Sequence, residues 1–321
     1  MLALASPASL KGVLSARQAA ELLTRGLERG GVDALALPVA DGGEGLCEVV
    51  HAALGGEWRA ARVPDPLGRP VEAAWLELPD GTALVESAQA VGLPLLGEGE
   101  LDPLHASSRG LGELLRAVLA KHPARMIVGL GGTATVDGGA GLLGALGALP
   151  AGLEVRAACD VTSPLLGSDG AAHAFGPQKG AGPEEVDELE RRLAARDDLA
   201  PYRDLPGAGA GGGLGAAFAS LGARLVRGAP LVLDLVGFDA RARDAALVVT
   251  GEGAVDRTTL AGKAPGVIRE RCRELGVDCV VFGGLVRDDI DAIPLSGDPA
   301  RAARDVEALG EELARSLVER A

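Results

Sequence analysis

A chain of 321 residues is long enough for about two domains and a sizeable core, which excludes a small scaffold stapled by disulfides. Hydrophobic residues make up 47% but aromatic ones only 2%, so the core has to be built from Ala, Val, Leu and Ile, as in helices packed tightly on sheets. Lys+Arg 31 against Asp+Glu 45 gives a net charge of -14, a field that repels nucleic acid and anionic membrane surfaces.

The N-terminal residues MLALASPASLKG have no charge before Lys11 and no long apolar stretch, so they do not read as a secretory leader. Ser15 can cap a helix with Ala19, Leu22, Leu23 and Leu27 on one stripe, ended by Gly30 and Gly31. Pro64-Asp65-Pro66-Leu67-Gly68 packs three turn-formers into five residues and reads as a crossing between domains. VEAAWLEL, the turn at Pro79-Asp80-Gly81 and TALVES then form a hairpin signature. Ser107 opens the helical pattern SSRGLGELLRAVLAKH, and Pro183-Glu184-Glu185 starts another whose acidic first turn suits the helix dipole. Short aliphatic runs at 126–130, 153–158, 246–250 and 277–282 alternate with these helices, a second crossing falls near Gly276, and a last helix runs from about Pro299 to Glu319.

That alternation predicts an α/β protein. The two chain ends, residues 1–65 and 276–321, are expected to complete one α/β domain, and residues 66–275 an inserted α/β domain, with a cleft between them. The longest uncharged run, Leu205 to Ala223, is broken by Pro206 and crowded with glycine, which argues against a membrane span and for a soluble, cytoplasmic protein. Cys47, Cys159, Cys272 and Cys279 lie far apart without a CxxC pair and read as reduced structural thiols.

Glycine accounts for 48 residues, clustered in ADGGEG (40–45), GLGGTATVDGGAG (129–141), GAGAGGGLG (207–215) and TGEGAVDRTTLAGK (250–263). Glycine lets backbone amides approach a ligand, and successive amides make a nest for phosphate oxygens. One such loop is more often a tight turn; four in one acidic protein favour a bound polyphosphate. Standard fingerprints fail: LAPYRDLP precedes the G-x-G-x-x-G at 207–212 where a dinucleotide fold needs a strand, and Ala264 follows Gly262-Lys263 where a P-loop needs Ser or Thr.

Phosphoryl transfer requires cations for the moving phosphoryl group, a carboxylate-held Mg²⁺ and an acceptor in line. Lys11, Asp41, Glu44, Arg109, Asp137, Asp160, Lys179, Glu252, Asp256 and Lys263 supply such groups in apolar or glycine-rich surroundings. Asp160 ends a strand-like run but can equally cap the next turn through Thr162 and Ser163. Arg109, in the first turn of a helix, either faces an anion or is a solvated surface arginine. Lys179 is either an anion contact or a loop charge, and Glu252 and Asp256 flank a glycine turn where helix capping is the alternative role. His51, His105, His122 and His173 have no partner spacing and read as surface or packing residues.

Taken together and in order, LPVADGGEG (37–45), PDPLGRPV (64–71), SSRGLGELL (107–115), VGLGGTATVDGGAGLLGALG (128–147), ACDVTSPLLG (158–167), FGPQKGA (175–181), PGAGAGGGLGAA (206–217) and VTGEGAVD…GKAPGV (249–267) resemble the bacterial glycerate kinase family. The resemblance implies ATP- and Mg²⁺-dependent phosphorylation of D-glycerate, to 2-phosphoglycerate in the commonest subclass. It also implies a Rossmann-like or flavodoxin-like α/β domain carrying a second α/β domain, with the substrates in the cleft.

On that footing, Gly131, Gly132, Thr133, Asp137, Gly138, Gly251, Glu252, Gly253 and Lys263 are expected to hold ATP, and Asp160 or Asp256 the Mg²⁺. Lys11 and Arg109 are expected on glycerate's carboxylate, Asp41 or Glu44 on its hydroxyls and Lys179 as a further substrate contact, with Asp160, Asp41 and Arg109 closest to the transfer. The family usually carries Asp, Asn, Arg and Ser where this chain has Ala8, Val136, Ala254 and Leu285. These departures leave open a kinase for another small hydroxy acid, or a catalytically silent nucleotide-binding protein.

Overall fold

The computed structural model describes residues 1–97, 99–260, 262–288 and 290–320. In chain order the strands are β1 (Leu2–Ala5), β2 (Asp33–Ala36), β3 (Glu57–Pro64), β4 (Pro70–Glu77), β5 (Thr82–Glu86), β6 (Arg125–Gly129), β7 (Glu154–Ala158), β8 (Arg224–Val226), β9 (Leu247–Val255), β10 (Cys279–Val286) and β11 (Ile293–Pro294). They form two sheets, and the chain divides into two compact units. One holds Met1–Asp41, Glu48–Leu54 and the chain from Ala229 onward; the other holds Gly42–Cys47 and Gly55–Gly228.

The first unit is built on a parallel sheet in the order β11-β10-β9-β1-β2. Its central strands, β1 and β9, are aliphatic runs buried on both faces, as a helix-covered parallel sheet requires. Ser15 caps the helix Ala16–Arg29 in a reciprocal box with Gln18, and Ala19, Leu23 and Leu27 turn inward. Each leucine so buried contributes about 2 kcal/mol. That helix lies against Ala302–Arg320 at backbone distance: a Cβ on Gly26 would stand 2.0 Å from the carbonyl oxygen of Glu307, and one on Gly310 2.5 Å from that of Leu23.

The second unit carries a six-stranded sheet in the order β3-β4-β5-β6-β7-β8, antiparallel from β3 to β5 and parallel from there on. The expected hairpin through Pro79-Asp80-Gly81 is its β4–β5 pair. Leu111, Leu114, Leu115 and Val118 of the helix Arg109–Leu119 join Met126, Val128 and Phe218 in one core cluster, while Val136, Leu165, Leu189 and Leu193 form another.

Both expected domain crossings are corrected. Pro64–Gly68 is the turn joining β3 to β4, where Asp65 Oδ1 accepts the amides of Leu67 and Arg69 at 2.8 Å. Gly276, at φ 71, ends the helix Ala264–Leu275 on the way to β10 inside the first unit. Residues 229–275 belong to that unit because β9 pairs with β1 on one side and β10 on the other. Among the described residues no helix is long and apolar enough to cross a membrane.

Candidate active site

In the first unit β1 leads sideways to β2, and β9 leads the opposite way to β10, so the sheet has a topological switch point between β1 and β9. Open α/β sheets bind ligands outside the carboxyl ends of their strands at such a point. A cavity of about 360 Å³ lies there. Lys11 and Asp41, from the segments after β1 and β2, and Glu252 and Gly253, from β9, line it together with Lys263. The residues that line it all belong to the first unit.

Glu252 organises the charged end. Its Oε1 accepts the Thr259 hydroxyl at 2.5 Å and lies 3.4 Å from Lys263 Nζ. Lys263 is the residue preceding the helix Ala264–Leu275, and its side chain is 38% exposed, so its charge reaches the cavity. Lys11 is exposed on the turn after Leu10, and among the described residues it has no carboxylate partner. Asp256 Oδ1 accepts the Thr259 amide at 3.0 Å at the start of the helix Arg257–Leu260.

The strand β9 continues to Val255, further than the expected glycine turn allows. Gly251, Glu252 and Ala254 pair with Phe282, Gly283 and Leu285 of β10. The glycine at 251 serves that pairing, since a Cβ there would stand 2.3 Å from the Phe282 carbonyl oxygen. Part of the last glycine-rich segment, Ala261, lies outside the described residues.

In the second unit the other three glycine-rich segments pack on one another. A Cβ on Gly129 would meet the Gly42 carbonyl oxygen at 2.2 Å, and one on Gly131 the Cα of Gly43 at 2.8 Å. Gly138 donates its amide to the Gly212 carbonyl at 3.0 Å, which corrects the expectation that this amide serves a ligand. Asp137 is likewise occupied: Oδ2 accepts the amide and hydroxyl of Ser108 and the amide of Gly141, and Oδ1 accepts the amide of Gly139. A carboxylate holding four donors organises its loop. Gly132, at φ 66, accepts from Leu93 and brings Thr133 to Lys179.

Lys179 is buried, with Nζ donating to Thr133 Oγ1 at 3.0 Å and to the Thr135 carbonyl at 2.7 Å. Burial lowers its pKa to about 7, against the opposing pull of Asp137. Two donations match the two N–H groups of a neutral amine. The folded side chain therefore sheds its proton near pH 7, whereas the unfolded one keeps it to about 10.5. Stability is expected to rise with pH across that window, by at most about 1.4 kcal/mol per unit. Urea unfolding between pH 6 and 10 checks this: the Lys179→Met variant should have a flatter slope than the wild type, and equal slopes would refute it.

Arg109 is 69% exposed, and its Nε donates to Glu113 one turn on at 2.8 Å. Asp160 Oδ1 accepts the Gly228 amide at 2.9 Å. Glu44 is exposed in the loop 42–47. Glu86, which no sequence motif singles out, holds that loop: its oxygens accept the amides of Gly45 at 3.2 Å and Cys47 at 2.8 Å. Burial pushes its carboxyl up, and those amides pull it back. The legible signal is an acidic residue following the apolar run Ala83–Val85 in the buried strand TALVE. Burial also pushes the thiols of Cys47 and Cys159 up, the latter to about 11, in keeping with structural cysteines. Of the four departures from the family pattern, Val136 lies in a core cluster, while Ala254 and Leu285 line the cavity.

A parallel sheet with lysines and carboxylates around a cavity at its switch point defines an α/β enzyme that handles a small charged substrate. A profile of the glycerate kinase family matches residues 3–151 and 148–302, and the chain belongs to that family. It is 37% identical to the glycerate 2-kinase of Escherichia coli strain K12, over 91% of this chain and 87% of that one. It is 38% identical to the glycerate kinase of Bacillus subtilis strain 168, over 90% and 86%. A crystal structure described as a putative glycerate kinase 2 from Salmonella typhimurium LT2 superposes with a TM-score of 0.83 at 34% identity, covering 99% of this chain and 98% of that one.

Proposed function

We propose that the chain transfers the γ-phosphoryl group of ATP to D-glycerate, at the 2-hydroxyl. The observation that carries this reading is the cluster of Lys11, Lys263, Asp41 and Glu252 around one cavity at the switch point of a family member. The name of the Escherichia coli relative supports the 2-position. ATP as donor places the reaction in the cytoplasm.

Mg²⁺ is bound in such enzymes through one or two carboxylates and the substrate's own phosphates, so it needs no cage of protein ligands. Among the described residues no group of three or more His, Cys, Asp and Glu forms such a cage, and the hard oxygens of Asp160 or of Asp256 suit the ion. When bound, Mg²⁺ neutralises charge on the phosphates. Lys263, at the start of a twelve-residue helix, attracts the phosphate tail, because both the ammonium group and the helix N-terminus favour an anion. Lys11 holds glycerate's carboxylate, and Asp41 accepts from its hydroxyls and takes the proton as transfer proceeds. Orientation and charge neutralisation do most of the catalytic work.

Purified protein supplied with ATP, Mg²⁺ and D-glycerate should release ADP well above a glycerate-free control, and phosphorus NMR should identify 2-phosphoglycerate. Nucleotide-dependent thermal stabilisation without turnover would overturn the reading in favour of a silent binding protein. A 3-phospho product would overturn the regiochemistry.

A further inference from the structure

The cavity in the first unit has a lining of two kinds. Lys11, Lys263, Asp41 and Glu252 are charged, while Leu285, Leu295, Pro299 and Ala302 are apolar. Leu285 on β10 is 49% exposed and Val13, also lining, is 39% exposed, so leucine and valine surface is presented to whatever enters. The segment 295–299 is built onto this wall: the Leu295 amide donates to the Gly283 carbonyl at 2.8 Å, and a Cβ on Gly297 would meet Leu285 Cδ2 at 3.1 Å.

A three-carbon hydroxy acid has a carboxylate and hydroxyls but no apolar face to set against such a wall. A nucleobase has two. Covering apolar surface is worth about 25 cal/mol per Å², a gain open to the base and closed to the acid. The volume, about 360 Å³, lies within the range of pockets for ligands larger than glycerate. Charge sets the direction. Asp298 and Asp305 also line the cavity and belong to the stretch that carries Leu295 and Pro299, with Asp298 Oδ1 on the Ala300 amide at 2.9 Å and Asp305 accepting from Ser296, so that stretch repels phosphate while Lys263 attracts it.

We infer that the cavity binds the nucleoside end of the phosphoryl donor, with the base against Leu285, Leu295 and Pro299 and the phosphates running toward Lys263. This rests on the kinase reading above and goes beyond it by assigning the base its wall.

The test is Leu285→Asp, a half-exposed position where a carboxylate disturbs the wall more than the core. KM for ATP is expected to rise at least tenfold with KM for glycerate within twofold. A rise confined to glycerate, or no change in either, overturns the assignment. Calorimetric titration of ADP in the absence of glycerate separates this from failure of the kinase reading: wild type should bind at least tenfold tighter than the variant whether or not glycerate is phosphorylated, and equal affinities overturn it. Photolabelling of the unaltered protein with 8-azido-ATP should mark a peptide within residues 284–302. A label found only at 129–141 or 175–182 would overturn it as well.

Discussion

Replacing Lys263 with Ala is expected to lower kcat about a hundredfold or more while moving the unfolding midpoint little. A positioned charge on a developing phosphoryl transition state is worth about 10²–10³ in rate, or roughly 3–4 kcal/mol. The same side chain does little for stability, because it is 38% exposed and its pair with Glu252 spans 3.4 Å. Partly exposed pairs of this kind contribute under about 1 kcal/mol. Steady-state kinetics beside a urea titration separates the two effects. A kcat within fivefold of wild type would remove Lys263 from the phosphate path, and a large loss of stability would make it a structural residue.

The largest expected effect on folding comes from Gly212→Ala. Gly212 adopts φ +74, and a Cβ there would stand 1.9 Å from the Thr135 carbonyl oxygen and 2.8 Å from the Cα of Val136. Left-handed backbone costs a non-glycine residue about 1–2 kcal/mol, and forcing backbone apart in a packed region about 1–3 more. The variant should lose at least about 3 kcal/mol by urea unfolding, or fail to accumulate. Gly144→Ala is the contrast within the same unit. That glycine lies in the helix Ala140–Leu146 with no atom within 4 Å of its would-be Cβ, so alanine should stabilise by up to about 1 kcal/mol. Equal outcomes for the two variants would refute the packing role of the 207–215 glycines.

Those glycines show where inference from the chain stops. Glycine-rich segments announce close approach of backbone to something, and the same residues serve whether that something is a phosphate or a neighbouring loop. Here the segments at 40–45, 129–141 and 207–215 approach one another, as the contacts of Gly129 with Gly42 and of Gly212 with Thr135 show. Arg109 and Asp137 are similar cases. Their charge in an unusual setting was visible, but the partners, Glu113 for one and Ser108, Gly139 and Gly141 for the other, required coordinates.

Features set by neighbouring residues were already present in the chain. The capped helix after Ser15, the β4–β5 hairpin, the aliphatic strands and the colinear family motifs all depend on spacings of a few residues, where propensity, capping and turn chemistry act. The division at Gly228, the turn at Pro64–Gly68 that joins two strands of one sheet, the loop-holding carboxylate of Glu86 and the meeting of Lys11 with Glu252 were settled only in three dimensions. The reason is physical: strand pairing joins segments far apart in sequence, and a turn looks the same locally whether the next strand returns to its own sheet or leaves for another.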